Sequence, residues 1–338
     1  MGLTDRILLA HGSGGRQSQD LLQQLIIPLF KDILLTPLDD SACLSLPAGQ
    51  TAFTTDSYVV DPLFFPGGDI GRLAACGTIN DLVMQGGKPL FLSLGLIIEE
   101  GLPTTDLQRI LESLAAVLQD NEVRLATGDT KVVQRGQANG LYINTAGIGR
   151  CLPGVDTSSS NARPGDEVIV TGTIGDHGVA VLSHRQGVRF ETELTSDVAP
   201  LWALLKPVFE HHPAALHVLR DPTRGGVAAA VCDIARASNV GVVLNERSLP
   251  IRAEVRGACS LFGLDPLDVA NEGKALVVCN PKETPTLLEA LRSHPLGQQA
   301  AVIGSVVAES PGLVRLRTRA GGERLVDLPA GELLPRIC

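Results

Sequence analysis

A set of carboxylates, one lysine and a thiol at the very end of the chain carry most of the chemistry this sequence offers. Asp39-Asp40, Asp56, Asp81 and Asp129 each fall where an apolar stretch stops or turns. Any one of them alone reads as an ordinary strand end or helix cap. As a set they have no matching Arg or Lys residues, and carboxylates near a core are costly unless they are paired or hold a cation. Oxygen ligands of this kind suit a hard ion such as Mg²⁺ beside a triphosphate. Asp81 is the sharpest case, because with Asn80 it interrupts a helix whose other positions (Leu73, Ala74, Ile79, Leu82, Val83) are apolar. Lys131, two residues past Asp129, supplies the point charge that a phosphate site needs.

Three loops extend this picture. In His11-Gly12-Ser13-Gly14-Gly15-Arg16 the backbone N–H groups can fold over phosphates. Neither a Walker A pattern nor G-x-G-x-x-G after a strand occurs, so a nucleotide site here belongs to neither common class. Asp221-Pro222-Thr223-Arg224-Gly225-Gly226 ends at a predicted helix start, where free N–H groups favour an anion. Asn271-Glu272-Gly273-Lys274 precedes a buried strand; partial burial raises the pKa of Glu272 and makes it a usable proton acceptor near neutrality. His211, His212 and His217 lack Cys or carboxylate partners at ligand spacing and read as solvated histidines.

The thiol is Cys338, reached through Leu328-Pro329-Ala330-Gly331 and Pro335-Arg336-Ile337. A terminal cysteine on a tether frays and oxidises, yet it can carry a covalent group to a partner or into a cleft. Prenylation would need three residues after the cysteine. About ten extended residues reach roughly 30 Å. The neighbouring α-carboxylate disfavours the thiolate, which suits a carrier loaded by another enzyme.

The elements that must position these groups alternate. Residues 1–36 form a Gly-rich opening and a helix bearing Leu21, Leu22, Leu25 and Ile26. Residues 37–156 make a first alternating unit: a strand from Thr51 to Asp56, a helix from Ile70 to Met84, a strand from Leu90 to Ile98, and a helix from Leu107 with Thr105 and Gln108 as capping box. A strand from Val123 to Thr127 follows, closed by Gly128-Asp129, then one from Gly140 to Gly149. After a Ser-rich linker, residues 163–307 form a second unit with a helix from Gly226 to Ala237 and strands at 168–170, 240–244 and 275–279. Residues 308–338 read as a tail. The fold class is mixed α/β (α+β), two layers per unit.

At 338 residues with 44% apolar and 3% aromatic content, the chain holds about two domains with Leu/Val/Ile/Ala cores. A net charge of −9 argues against a nucleic-acid or anionic-membrane surface. There is no signal-peptide pattern, and the longest apolar runs are too short to span a bilayer. Seven scattered cysteines without a C-x-x-C pair imply a reducing cytoplasm, with Cys43, Cys76, Cys151, Cys232, Cys259 and Cys279 mostly in the core.

Taken in order, His11–Gly15, Thr55-Asp56-Ser57, Pro62–Gly71, Asn80-Asp81-Leu82, Gly128-Asp129-Thr130-Lys131, Asp221–Gly226, Asn271–Lys274 and Pro335–Cys338 resemble the hydrogenase maturation family HypE. The Asp motifs are shared with the PurM-like superfamily of aminoimidazole ribonucleotide synthetase, selenophosphate synthetase and thiamine-monophosphate kinase. Phe64-Phe65-Pro66-Gly67-Gly68 and the terminal cysteine are specific to HypE. The resemblance implies a PurM-like two-domain fold, a homodimer whose N-terminal domains pair into a β-barrel, a C-terminal α/β sandwich domain and a flexible tail. It implies ATP with Mg²⁺, held through Gly12, Gly14, Gly15, Asp56, Asn80, Asp81, Asp129, Thr130, Lys131, Arg224 and Gly225. Asp39 or Asp40 would complete the metal ligands, and Leu38 before them stands where many relatives have Gly. The implied activity is dehydration of a carbamoyl group on Cys338 to a thiocyanate. HypF would load that group, and the cyanide would pass through HypC–HypD to the iron of [NiFe]-hydrogenase. Glu272 would remove the nitrogen protons and Lys131 would steady the oxyanion or the departing phosphate. Two other readings compete: a superfamily enzyme that phosphorylates a free small molecule, and a non-catalytic thiol scaffold. The absence of a cysteine before Cys43 counts against selenophosphate synthetase, and the intact Asp/Lys set against the scaffold.

Overall fold

The computed structural model describes residues 4–36, 41–188, 194–328 and 336–337. Asp39, Asp40 and Cys338 lie outside these residues. The N-terminal helical run comprises α1 (Arg16–Leu21), a π segment (Leu22–Ile26) and α2 (Ile27–Phe30), and it buries Leu21, Leu25, Ile26 and Phe30. Leu125 N–H donates to the Ile33 carbonyl and Leu35 N–H to the Leu125 carbonyl, which lays the run against the first sheet.

That sheet contains β1 (Thr51–Tyr58), β4 (Gly87–Glu99), β5 (Arg124–Val133) and β6 (Leu141–Cys151), in the order β1-β6-β4-β5. A small hairpin, β2 (Phe64–Phe65) with β3 (Gly68–Asp69), precedes α3 (Ile70–Met84). The Asp69 carboxylate caps α3 by accepting from Gly71 and Arg72 N–H. With α4 (Thr104–Asp120), α3 covers one face, onto which alternate residues Leu92, Leu94, Leu96 and Ile98 of β4 point. The other face is open: Phe53 is 69% exposed and Ile97 43%. Three local expectations change. α4 starts at Thr104, whose hydroxyl donates to the Thr4 carbonyl, so Thr105 and Gln108 form no capping box. β5 runs on through Gly128-Asp129 to Val133, because its parallel pairing with β4 continues to Glu99. Cys43 is exposed rather than in the core.

The second sheet has the order β13-β12-β9-β11-β7-β10-β8. Its strands are β7 (Glu167–Val170), β8 (Leu216–Arg220), β9 (Gly241–Asn245), β10 (Leu276–Cys279), β11 (Ala301–Val307), β12 (Val314–Arg317) and β13 (Glu323–Val326). Both faces are buried: Val168, Val170 and Val278 enter the cluster with α7 (Gly226–Ala237). Ile169 and Val277 enter the cluster with α6 (Trp202–His211) and α9 (Thr284–Arg292). Helices α5 (Asp176–Gln186) and α8 (Ala253–Phe262) pack at one end. β12 and β13 come from the segment read as tail; their alternating Arg315, Arg317 and Glu323 belong to an edge hairpin whose pattern resembles a polar loop. His217 is buried on β8 with Nδ1 2.7 Å from Asp166 Oδ2, so it is a core pair rather than a solvated histidine.

Candidate functional site

The two sheets meet across a cleft of about 720 Å³ lined by Thr54, Asp56, Tyr58, Asp81, Asp221, Arg224 and Glu272, among others. Asp56 and Thr54 reach it from the covered face of β1, and Asp81 from the middle of α3. Thr54 Oγ1 donates to Asp81 Oδ2 at 2.7 Å. At Gly77 a Cβ would sit 2.3 Å from Tyr58 Oη, so only glycine lets α3 lie this close to the cleft floor. Across the cleft, Gly225 and Gly226 adopt positive φ (74° and 62°) in the turn entering α7. A Cβ at Gly226 would meet the Leu267 carbonyl at 2.4 Å. This turn places Arg224 Nη2 3.5 Å from Asp56 Oδ1. Gly225 shapes the turn and does not line the cleft.

The charges here do not balance. Burial, then Asp221 and Asp56, push the Asp81 carboxyl up to about 6, against Thr54 and Arg224. Burial is also the main cause of the raised pKa of Asp221. Glu272 is 3% exposed and held well above the usual carboxylate range by burial and then by Asp197, Asp221 and Asp56. Its Oε1 is buried without a hydrogen-bond partner, as for an acceptor aimed at a group that arrives with the substrate. Its backbone is fixed at both ends: Glu272 N–H donates to Asp197 Oδ1, and its carbonyl accepts from Asn80 Nδ2. Asp197 is in turn paired with buried Lys274 at 3.1 Å.

Asn80 also has a structural role. Its Nδ2 also donates to Ala199, and its Oδ1 accepts from Leu201 N–H. The amide therefore fastens the two domains and holds the Glu272 loop; both of its N–H groups are used, and Oδ1 keeps a second lone pair.

Asp129, Thr130 and Lys131 lie elsewhere. They line a second cavity of about 340 Å³ with Gly12 and Gly14, while Gly15 is the N-cap of α1. Register shows the separation. Asp56 pairs with Thr145, and Thr145 with Leu94, on the covered face; Asp129 pairs with Gly95, and Gly95 with Asn144, on the open face. The two aspartates thus sit on opposite faces and opposite edges, three strand spacings or roughly 14 Å apart. Lys131 pairs with Asp129 at 3.2 Å. Three further residues join the site: Asp221 and Lys274 stand in the Asp221–Gly226 and Asn271–Lys274 motifs, whereas Asp197 carries no sequence signal.

Among the described residues, no three His, Cys, Asp or Glu side chains converge to cage a metal ion alone. The acidic trio Asp56, Asp81 and Asp221 nevertheless fits Mg²⁺, which takes one or two carboxylates and fills its shell with water and phosphate oxygens. Burial first, and then repulsion from Asp221 and Asp56, raises Asp81, and such an ion would relieve the repulsion.

Known proteins share the sequence and the fold of this chain. Residues 38–151 match the N-terminal domain, and 163–316 the C-terminal domain, of AIR synthase related protein. The chain is 49% identical over 333 residues to carbamoyl dehydratase HypE of Rhizobium leguminosarum bv. viciae, covering 98% of this chain and 95% of that one. Against a crystal structure of hydrogenase maturation protein HypE with ATP, it aligns with TM-score 0.94 and 43% identity, over 98% of this chain and 99% of the other. A HypE–HypF complex aligns with TM-score 0.80 and 47% identity over 84% and 92%.

Proposed function

The chain belongs to the carbamoyl dehydratase HypE family, within the AIR synthase related proteins, and on that premise we propose how its residues divide the work. It is an ATP-dependent carbamoyl dehydratase of hydrogenase maturation, with HypF as partner. The substrate is a carbamoyl group on the Cys338 thiol. Its oxygen takes the γ-phosphoryl group of ATP; loss of phosphate and of both nitrogen protons then leaves the thiocyanate, with ADP as the other product.

The observation that carries this reading is buried Glu272, with its unpartnered Oε1, in the same cleft as the acidic trio. Glu272 takes a nitrogen proton, and the high pKa imposed by its surroundings makes it a strong base once ionised. Arg224, 3.5 Å from Asp56, is the cleft cation that we assign to the incoming phosphates. Bound Mg²⁺ would offset the charge of the triphosphate and of the phosphoryl group in flight. Asp56, Asp81 and Asp221 are the residues that would hold it, with Asp39 or Asp40 as further candidates.

We assign Asp129, Lys131 and the Gly12–Gly14 loop to the same active site, supplied by a second copy. The open sheet face exposes two large apolar side chains, Phe53 and Ile97, among polar ones such as Thr55 and Ser57, and a partner sheet would cover them. Closing two such sheets edge to edge would set the β5 edge of one copy, with Asp129 and Lys131, beside the β1 edge of the other, with Asp56, and make the homodimer a catalytic requirement. Delivery of the cyanide through HypC–HypD and a cytoplasmic location follow from the same family reading. The free thiols at Cys43, Cys76, Cys151, Cys232, Cys259 and Cys279 fit a reducing compartment, and no helix among the described residues is long and apolar enough to cross a membrane.

Calorimetric titration of ATP with and without Mg²⁺ tests the metal assignment. Cation-dependent binding that disappears in Asp81→Asn is expected. Equal affinity in chelator, or unchanged affinity in the variant, would remove the trio as the Mg²⁺ site.

A further inference from the structure

Every residue of Asn271-Glu272-Gly273-Lys274, the loop that carries the base, is held by its surroundings, and one carboxylate holds two of them. Asp197 lies in residues 194–201, a segment without regular structure that runs between the two domains. Its Oδ1 accepts from Glu272 N–H at 3.1 Å. Its Oδ2 lies 3.1 Å from Lys274 Nζ, and both side chains are almost wholly buried. Lys274 also donates to the Gly273 carbonyl at 3.3 Å, so its charge serves Asp197 while its hydrogen bond curls back on the loop. Two glycines make room for this arrangement. A Cβ at Gly273 would clash with the Asp197 carbonyl, and one at Gly172 would lie 2.7 Å from Lys274 Cε.

The segment bearing Asp197 is itself fastened to the first domain. Ser196 N–H donates to the Pro66 carbonyl at 2.8 Å, and Arg72 Nε to the Val198 carbonyl at 3.2 Å. Asn80 binds the Ala199 carbonyl and Leu201 N–H. Arg72 and Asn80 stand about two turns apart on α3, the helix that also carries Asp81. On its other side the loop is tied to the acidic trio again: the Pro222 carbonyl, next to Asp221, accepts from Asn271 N–H at 3.1 Å and from Asn271 Nδ2 at 2.9 Å. Gly175 N–H donates to Asn271 Oδ1 at 2.7 Å. The backbone of Glu272 is thereby referenced to Asp81 through Asp197 and to Asp221 through Asn271. Asp197 and Lys274 line neither cavity, so neither reaches ATP nor the carbamoyl group; what Asp197 does for the reaction passes through Glu272.

We propose that Asp197 is a positioning residue for dehydration: it fixes the backbone from which Glu272 reaches into the cleft, and Lys274 is the buried counter-charge that lets a second carboxylate sit beside the base. The Glu272 side chain turns about three torsions, so a small shift of its backbone is magnified at Oε1. Misplacing a catalytic group by about 1 Å can cost roughly 10²-fold in rate. A lone carboxylate at this depth would be costly, and the ion pair with Lys274 offsets that cost. The charge of Asp197 also acts on Glu272, second only to burial, so the test must separate holding from charging. The proposal deepens the dehydratase reading and rests on it.

The test uses two full-length double variants, Asp197→Asn/Lys274→Met and Asp197→Ala/Lys274→Met. Both remove the same two charges, which leaves no unpaired buried ion, and both keep an unbranched stem beside Gly172. They differ in the acceptor: Asn retains an Oδ1 for Glu272 N–H, and Ala has none. Asp197→Leu/Lys274→Met lacks the acceptor while filling the space of Asn, and serves in place of the alanine variant if its cavity unfolds the chain. Single-turnover thiocyanate formation from the carbamoylated thiol with saturating Mg²⁺-ATP is followed by mass spectrometry, for each variant alone and combined with Glu272→Gln. The variant without the acceptor should be slower than the Asn variant by about tenfold, with equal ATP affinity by calorimetry. In the Glu272→Gln background that factor should vanish, because a clamp on the base has no base left to position. Equal rates with and without the acceptor would overturn the proposal. So would a tenfold factor that persists in Glu272→Gln, or one matched by a loss of ATP binding. A wild type that forms no thiocyanate defeats the dehydratase reading itself; a wild type that turns over beside variants of equal rate defeats the positioning role alone.

Discussion

A base must be ionised to accept a proton, yet burial and three neighbouring carboxylates favour the neutral form of Glu272. Thiocyanate formation should therefore rise with pH through the elevated pKa and level off above it. Arg224 is the charge that opposes the elevation, so Arg224→Gln should move the rising limb to higher pH. Glu272→Gln should slow the elimination by about 10²–10⁴-fold while ATP binding persists, leaving the carbamoyl mass on Cys338. An unchanged rate would transfer the proton to another group. Asp81 makes a second pH prediction. Its carboxyl is raised in the folded chain from 3.8 to about 6, so it favours folding only where it is protonated. That contribution, roughly 2–3 kcal/mol, is complete below 3.8 and lost as pH climbs through about 6. Without divalent cation, thermal stability should fall over that window, and Asp81→Asn should flatten the fall. A slope identical in the variant would contradict it.

At the scale of elements, sequence legibility tracked how local the determining forces are. The helices at Ile70–Met84 and Gly226–Ala237 are where the apolar run and the Gly-Gly turn place them, because capping and apolar content are read within a few residues. Gly128-Asp129 reads as the end of β5 because glycine and aspartate ordinarily end strands, whereas pairing with β4 carries it on. The β12–β13 hairpin was hidden for a related reason, since an edge pair needs few apolar residues. Asn80 was legible as unusual but not as a fastener, since its partners lie 119 to 192 residues away. Removing its three bonds with Asn80→Ala leaves buried Ala199 and Glu272 carbonyls and the Leu201 N–H unmet. We expect a loss of about 1–3 kcal/mol in unfolding free energy, with a larger loss of turnover as the Glu272 loop loosens. Denaturant melts and turnover measured together check this; a stability change without an activity change would contradict it.

At the scale of the whole molecule, the site set read from sequence is divided between two cavities of one chain, and a second copy reunites it. This makes a subunit-mixing prediction. Asp81→Asn and Asp129→Asn should each be inactive alone, yet co-expressed they should recover about a quarter of wild-type activity, because half the dimers are mixed and each mixed dimer has one intact site. No recovery would place both aspartates in the same chain's site. A charge on the open sheet, Phe53→Asp, should yield monomers by ultracentrifugation, with activity lost and each fold intact. The most direct test of the whole account is the mass of the C-terminal peptide after carbamoylation by HypF and a single turnover with Mg²⁺-ATP. The account predicts that the carbamoyl mass on Cys338 is replaced by the cyano mass, with one ADP formed for each conversion and none in Cys338→Ala. A carbamoyl mass that persists while ATP is hydrolysed equally with and without the thiol would contradict it.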